Sequence, residues 1–176
     1  LDHCNSHSSF KDKVSMSNLC QEITLPTTPI QDIHDEQGEI ALCILSAVNV
    51  GGLNDLSELE NICDLSVRAL EQIIDYQDYP VKAAEVSTKK RRSLGIGYIG
   101  LAHYLAKNGV KYSDPKAWDL VDRLTEAFQY NLLRASCNIA MEKGKCEGFE
   151  RTKYADGLLP IDHYKKEIDE IVPHKQ

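Results

Sequence analysis

Between Ser113 and Gly144 the chain carries a pattern that a long amphipathic helix satisfies. Ser113-Asp114-Pro115 offers a capping side chain followed by a proline in the first turn, and Gly144 fits the stop. Trp118, Val121, Leu124, Phe128, Leu132, Ala135 and Ile139 mark one face of a helix reaching Lys143. A second helix opens at Asp55, where Glu58 three residues on makes a capping-box-like start. Leu56, Leu59, Ile62, Cys63, Val67, Leu70 and Ile74 then recur mostly three and four apart until Tyr79-Pro80 ends the run. A last helix is expected to begin near Asp162. Upstream the periodicity changes. Residues 1–17 are polar and read as loop. Leu19, Gln21, Ile23 and Leu25 alternate with Cys20, Glu22 and Thr24, which predicts an extended segment over 18–25 ended by Pro26 and Pro29. Residues 31–39 form a polar turn region. Ile40 to Val50 is mostly apolar and bounded by Gly51-Gly52, consistent with a buried strand or with a strand passing into a helix. The pattern as a whole predicts extended segments upstream and a mostly helical remainder.

Composition narrows the function classes. The 176 residues carry a net charge of −7, and 42% are apolar, which excludes a disordered chain. The length allows one domain or part of a larger one. An acidic balance argues against a reader of nucleic-acid backbone. The longest unbroken apolar run, Ile40 to Leu45, has six residues, far short of the ~20 that span a bilayer. No charged-then-apolar leader opens the chain, so secretion is not expected. The chain starts at Leu1 without an initiator Met and stops at Gln176 after a helical-looking segment, so an internal piece of a larger protein is expected. Six cysteines, none in C-x-x-C spacing, are too dilute for a disulfide scaffold and suit a reducing cytosol. Cys63 and Cys137 fall inside helical patterns and are expected in the core. His3, Cys4 and His7 cluster within five residues but have no fourth ligand nearby, so no metal site is expected.

Gly95-Ile96-Gly97-Tyr98-Ile99-Gly100 matches the dinucleotide fingerprint G-x-G-x-x-G. That fingerprint requires a buried strand feeding it. The residues upstream, Ser87 to Arg92, are too charged for one, so the expectation is a glycine-lined helix face, with Lys89–Arg92 as a solvated helix entrance. Tyr76 and Tyr79 are expected to be packing residues.

The grouping that carries chemistry is Asn18, Cys20 and Glu22. On an extended strand, residues two apart share a face, about 7 Å between successive positions. An amide, a thiol and a carboxylate would then project together, and Leu19 and Ile23 would take the buried side. A nucleophilic cysteine needs a cation, a histidine or a helix N-terminus beside it. A neighbouring carboxylate works the other way and keeps the S–H bond intact, which suits hydrogen-atom chemistry. The bland alternative is an amphipathic edge strand with a solvated polar face.

The string Ser17-Asn18-Leu19-Cys20-Gln21-Glu22-Ile23-Thr24-Leu25-Pro26-Thr27 closely resembles the active-site segment of the large subunit of aerobic class Ia ribonucleotide reductases, the enterobacterial and tailed-phage type above all. The resemblance continues through Asp35 to Cys43, Asp75 to Pro80, Arg91 to Gly97 and Tyr154 to Asp162, nearly the whole chain. Cobalamin-dependent relatives typically carry Pro before the cysteine and Gly after it, where this chain has Leu19 and Gln21. The resemblance implies a fragment of a ten-stranded α/β barrel with the radical cysteine on a central loop. All of 1–176 would belong to the catalytic barrel domain, with the radical-cysteine loop at 15–30, a strand and turn region at 31–52 and a helical region at 53–176.

The resemblance further implies reduction of ribonucleoside diphosphates to 2′-deoxyribonucleoside diphosphates by thiyl-radical chemistry, in the cytoplasm, or the host cytoplasm if phage-encoded. Cys20 would become the thiyl radical and take the ribose 3′ hydrogen. Glu22 would be the general base for the 3′ hydroxyl, and Asn18 would orient substrate. Cys43 would be one of two thiols that end as a disulfide, its partner lying upstream. No cofactor or metal is expected in this piece. The radical would come from a small diiron-tyrosyl subunit, ATP, dATP and dNTP effectors would act on other regions, and thioredoxin or glutaredoxin would re-reduce a homodimer of large subunits. Neither membrane nor nucleic acid is an expected partner. Two rival readings are a cysteine hydrolase built on Cys20 with a remote histidine, and a helical interaction module over 55–143.

Overall fold

The computed structural model describes residues 8–21 and 23–162, with elements in the order β1 (Met16–Ser17), β2 (Thr24–Leu25), β3 (Ile44–Asn49), α1 (Leu59–Tyr76), α2 (Lys82–Arg91), β4 (Leu94–Ile99), α3 (Leu101–Lys107) and α4 (Lys116–Lys143). They form two units. One comprises the described residues of segments 1–42, 79–91 and 146–176, the other residues 43–78 and 92–145.

The second unit is organised by a parallel strand pair. β3 and β4 run in register from Ile44 opposite Leu94 to Asn49 opposite Ile99. Parallel strands need a crossover, and α1 lies within it. On one face of the pair, Val48, Ile96 and Tyr98 pack with the helices, and the Tyr98 ring meets Phe128 of α4 edge-on at 5.6 Å between centroids. On the other face, Leu45 and Ile99 are exposed. Residues 94–99 therefore form a strand and not a glycine-lined helix face. The alternation Leu94, Ile96, Tyr98 against Gly95, Gly97, Ile99 has period two, and the glycines stand where side chains would project from the open face. Over the described residues 53–162 the chain is accordingly mostly helix interrupted by a strand. Gly100 turns β4 into α3 with φ +81°, and a Cβ there would lie 2.4 Å from Asn49 Oδ1. Only glycine meets both conditions.

Helix α1 buries Leu59, Cys63, Val67, Leu70 and Ile74 along one stripe. Asp55 Oδ1 accepts from the Ser57 N–H at 2.8 Å, but Glu58 reaches back to the Asn54 N–H, because one 3-10 turn at Leu56–Glu58 precedes the α-helix. In α4, Asp114 Oδ1 accepts from the Lys116 N–H at 3.0 Å, and Gly144 with φ +90° ends the helix. Two expected core residues are on the wrong side. Trp118 is 75% exposed, because Ala117 takes the core position of the first turn and leads the stripe through Leu124, Phe128, Ala135 and Ile139. Cys137 is exposed because it lies between Ala135 and Ile139, which own the buried face. Ion pairs of Arg68 with Glu142 and Arg134 with Glu60 lace α1 to α4 at the rim.

The first unit holds a buried ion network. Arg91, the last residue of α2, donates from Nη2 to Glu39 Oε2 at 2.6 Å and from Nη1 to Asp12 Oδ2 at 3.0 Å. Lys90 Nζ adds 2.8 Å to Glu39 Oε1, and Arg151 pairs with Asp12. The Arg91 and Glu39 side chains are 5% and 4% exposed. Lys89–Arg92 is thus not a solvated helix entrance. It spans the last turn of α2, and Arg92, in the other unit with φ +48°, pairs with Glu71 and Asp75. Backbone bonds complete the first unit: Ile40 N–H to Ala83 C=O, Gly148 N–H to Lys90 C=O, and bridges Phe10 with Thr152 and Thr28 with Glu39. The expected last helix begins at Pro160, and Asp162 sits inside its first turn, accepting from the Leu159 N–H at 2.7 Å.

Burial raises the pKa of the Glu39 carboxyl, but hydrogen bonds and charge from Lys90 and Arg91 outweigh it and hold the group below its usual range; Asp12 behaves likewise beside Arg91 and Arg151. A depressed folded-state pKa gives stability that is present above the unfolded value and lost as pH falls through the folded one. The intact protein is expected to lose stability as pH drops below about 4, the unperturbed carboxylate range. Glu39→Gln should flatten that dependence and, by stranding Arg91, cost about 3–5 kcal/mol at pH 7. Urea midpoints of both proteins between pH 7 and 3 test this, and parallel pH curves would contradict it. In the same assay Leu124→Ala should cost about 2–5 kcal/mol, whereas Trp118→Ala should stay within about 0.5 kcal/mol.

Candidate functional site

β1 and β2 pair antiparallel, Met16 opposite Leu25 and Ser17 opposite Thr24. The residues between them reverse the chain. The Gln21 N–H donates to the Asn18 C=O at 3.1 Å, the Asn18 N–H reaches the Ile23 C=O at 3.4 Å, and Gln21 takes φ +61°. The extended segment expected over 18–25 is therefore a hairpin tip leading into one short strand, β2, with β1 lying just before it. Leu19, expected on a buried side, is 97% exposed. The alternation in sequence misled because a hairpin tip has no period-two faces. Below the tip, Ser15 Oγ and Thr27 Oγ1 meet at 2.8 Å, and Val14 and Pro26 are buried.

Cys20 sits exposed at this tip. Asn18 holds the tip together, because its Oδ1 accepts from the Ile23 N–H at 3.1 Å. Asn18 and Cys20 thus share one turn. Glu22, His3, Cys4 and His7 lie outside the described residues. Cys43 belongs to the other unit. It is half-buried, directly precedes β3, and its Sγ lies 3.9 Å from the Ile44 C=O. The start of β3 is pinned by the Ile44 N–H on the Ser93 C=O at 3.1 Å. Cys63 is a core thiol whose pKa burial pushes up to about 11. Tyr76, expected to be a packing residue, is 91% exposed, while Tyr79 lies under the Lys89 ammonium at 5.9 Å. Among the described residues no group of three or more His, Cys, Asp or Glu is placed to hold a metal ion, and no helix is long and apolar enough to cross a membrane.

Two features of the first unit add to the sequence reading of a polar turn over 31–39. Asp35 folds the loop after β2, accepting from the Gln31, Gln37 and Gly38 N–H groups, and these bonds hold its carboxyl below the usual range. The Asp-x-Gln-Gly spacing is a readable turn signal. The acceptors of Arg91 left no such signal, since Asp12 and Glu39 are 79 and 52 positions away. Chemically, the site presents an exposed thiol on a short turn that an adjacent amide makes rigid.

Comparison with known proteins is extensive. A family model described as the barrel domain of ribonucleotide reductase matches residues 1–175. The chain is 59% identical over 174 residues to the ribonucleoside-diphosphate reductase subunit alpha of Haemophilus influenzae, and 53% identical over 174 residues to ribonucleoside-diphosphate reductase 1 subunit alpha of Escherichia coli. Each alignment covers 97% of this chain and 23% of the relative. The subunit alpha of Enterobacteria phage T4 is 41% identical over 180 residues, covering 99% of this chain. The chain therefore spans about a quarter of the length of these curated relatives.

The turn geometry makes a local prediction. Asn18→Ala removes the acceptor of the Ile23 N–H and should weaken the tip by about 1 kcal/mol, read as roughly fivefold faster hydrogen exchange at the Ile23 amide. Gln21→Gly relieves a left-handed backbone conformation and should leave that exchange equal or slower. An Ile23 amide indifferent to Asn18→Ala would remove Asn18 from the turn.

Proposed function

This chain belongs to the ribonucleotide reductase barrel-domain family, and from that premise we propose that it carries the radical cysteine of an enzyme reducing ribonucleoside diphosphates to 2′-deoxyribonucleoside diphosphates. The observation that carries the reading is the exposed Cys20 thiol on a hairpin tip whose backbone Asn18 fixes. A hydrogen-atom carrier has to approach one carbon of a bound sugar, and a thiol on a rigid tip serves that geometry.

In this reading Cys20, as a thiyl radical, takes the ribose 3′ hydrogen, becomes a thiol, and returns a hydrogen atom to the 3′ carbon at the end, which regenerates the thiyl radical. Glu22 accepts the 3′-hydroxyl proton, which needs hydrogen-bond reach to that oxygen. Asn18 has its Oδ1 committed to Ile23, so its NH₂ group is the end that orients substrate. Cys43 and a second thiol upstream deliver the reduction at the 2′ carbon: the C–OH bond becomes C–H, water leaves, and two thiols become one disulfide. That disulfide needs an external dithiol such as thioredoxin or glutaredoxin. The starting radical comes from a small partner subunit with a diiron-tyrosyl centre. The homodimeric assembly, the nucleotide effectors and a cytoplasmic setting belong to the same proposal. Family membership leaves the cysteine hydrolase and the helical module without support.

The test uses the full-length enzyme with its radical-generating subunit and substrate tritiated at the 3′ carbon. A serine O–H bond is stronger than a thiol S–H, so Cys20→Ser should release no label. Cys43→Ser keeps the initiating thiol, so label and free base should appear without deoxynucleotide. Silence from both variants would erase the distinction between initiator and reductant, and equal release from both would remove Cys20 from the mechanism.

A further inference from the structure

We propose that Arg91 is a positioning residue for Cys20, a single guanidinium that clamps both ends of the segment carrying the reactive turn. The inference rests on the reading of Cys20 given above and adds a residue to it. The segment that holds Cys20 runs from Asp12 through the hairpin and the loop after it to Glu39. Arg91 binds both points. Nη1 reaches Asp12 Oδ2 at 3.0 Å, while Nη2 and Nε reach Glu39 Oε2 at 2.6 and 3.2 Å. The outer oxygens of the two carboxylates are held by Arg151 and Lys90, and the Phe10 ring lies 5.3 Å from the guanidinium carbon. Backbone bridges at Phe10 and Thr28 flank the same two anchor points.

The tip's own bonds fix the shape of the turn, not where the turn stands in its unit. Among the described residues three hydrogen bonds close it, two residue pairs join its strands, and Cys20 and Leu19 are exposed. Where the sulfur sits is therefore set at the base, by the separation and orientation of Asp12 and Glu39. A planar fork with several fixed donors holds two carboxylates in one geometry, and a lysine ammonium cannot do so. Misplacing a reacting atom by about 1 Å costs on the order of 10²-fold in rate. The Arg91 guanidinium is occupied by Asp12 and Glu39, so its effect must appear in the hydrogen-transfer step and leave substrate affinity alone.

The experiment uses the full-length enzyme with its radical-generating subunit and compares wild type, Arg91→Lys, Asp12→Asn and Cys20→Ser. It measures kcat and KM for a ribonucleoside diphosphate, and the isotope effect on kcat for the same substrate deuterated at the 3′ carbon. Arg91→Lys is expected to lower kcat on the order of 10–100-fold with KM within about twofold. It should also raise the 3′ isotope effect above that of wild type, because hydrogen transfer becomes the slow step. Asp12→Asn severs one arm only and should change both quantities in the same direction by less; it decides the matter if Arg91→Lys does not fold. Wild-type kcat in the deciding variant overturns the clamp, and so does a loss of kcat with an unchanged isotope effect, which would signal fewer folded molecules. Turnover retained by Cys20→Ser would instead sink the reading of Cys20 itself.

Discussion

A buried guanidinium is the constraint on which the first unit depends. Removing Arg91 and Glu39 from water costs several kcal/mol per ion, and the cost is tolerable only where the geometry is good and the remaining donors and acceptors are satisfied. Here they are: Arg91 meets Glu39 and Asp12, and those carboxylates also meet Lys90 and Arg151. The network joins the end of α2, the segment before the hairpin, the loop after it and the segment around Arg151. These pieces are far apart in sequence, and the ion network is where they meet.

The second unit is held by a different force. Its stability comes from two helical stripes and one face of a parallel strand pair closing over Leu59, Cys63, Leu105 and Leu124, all almost inaccessible to solvent. Burying a large aliphatic side chain contributes about 1.5–3 kcal/mol. Parallel sheets are ordinarily covered on both faces. The pair β3–β4 is covered on one, with Leu45 and Ile99 exposed on the other, as suits a part of a larger barrel sheet. The two units thus show one chain using hydrophobic burial where its helices are long and ion pairing where its segments are short.

Much was legible in sequence, and the failures have a common shape. Helices α1 and α4 were readable to within a few residues because capping and 3.6-residue periodicity are local. The strand before Gly51-Gly52 was readable from its apolar run. β4 is hidden in the sequence because glycines at alternate positions mask a period of two, and the charged run before it reads as solvent-facing. Trp118 and Cys137 were misplaced because periodicity gives a stripe but fixes its edges only to within a residue. The turn at 18–23 was misread as a strand because short alternation occurs by chance, and only the bonds between Asn18 and Ile23 reveal the reversal.

The sequence by itself determined the family, the cysteine proposed for chemistry, the long helices and their caps. Those depend on neighbours within a few positions or on a string long enough to be specific. Tertiary structure alone decided that Cys20 stands exposed on a hairpin tip, that Asn18 spends its carbonyl on Ile23, and that the Arg91 cation is buried against Glu39 and Asp12 with Lys90 half-buried beside Glu39. The physical reason is that a charge carries no mark of its partner in the sequence. Whether an arginine is solvated or clamps two carboxylates depends on residues that the fold alone brings within 3 Å of it.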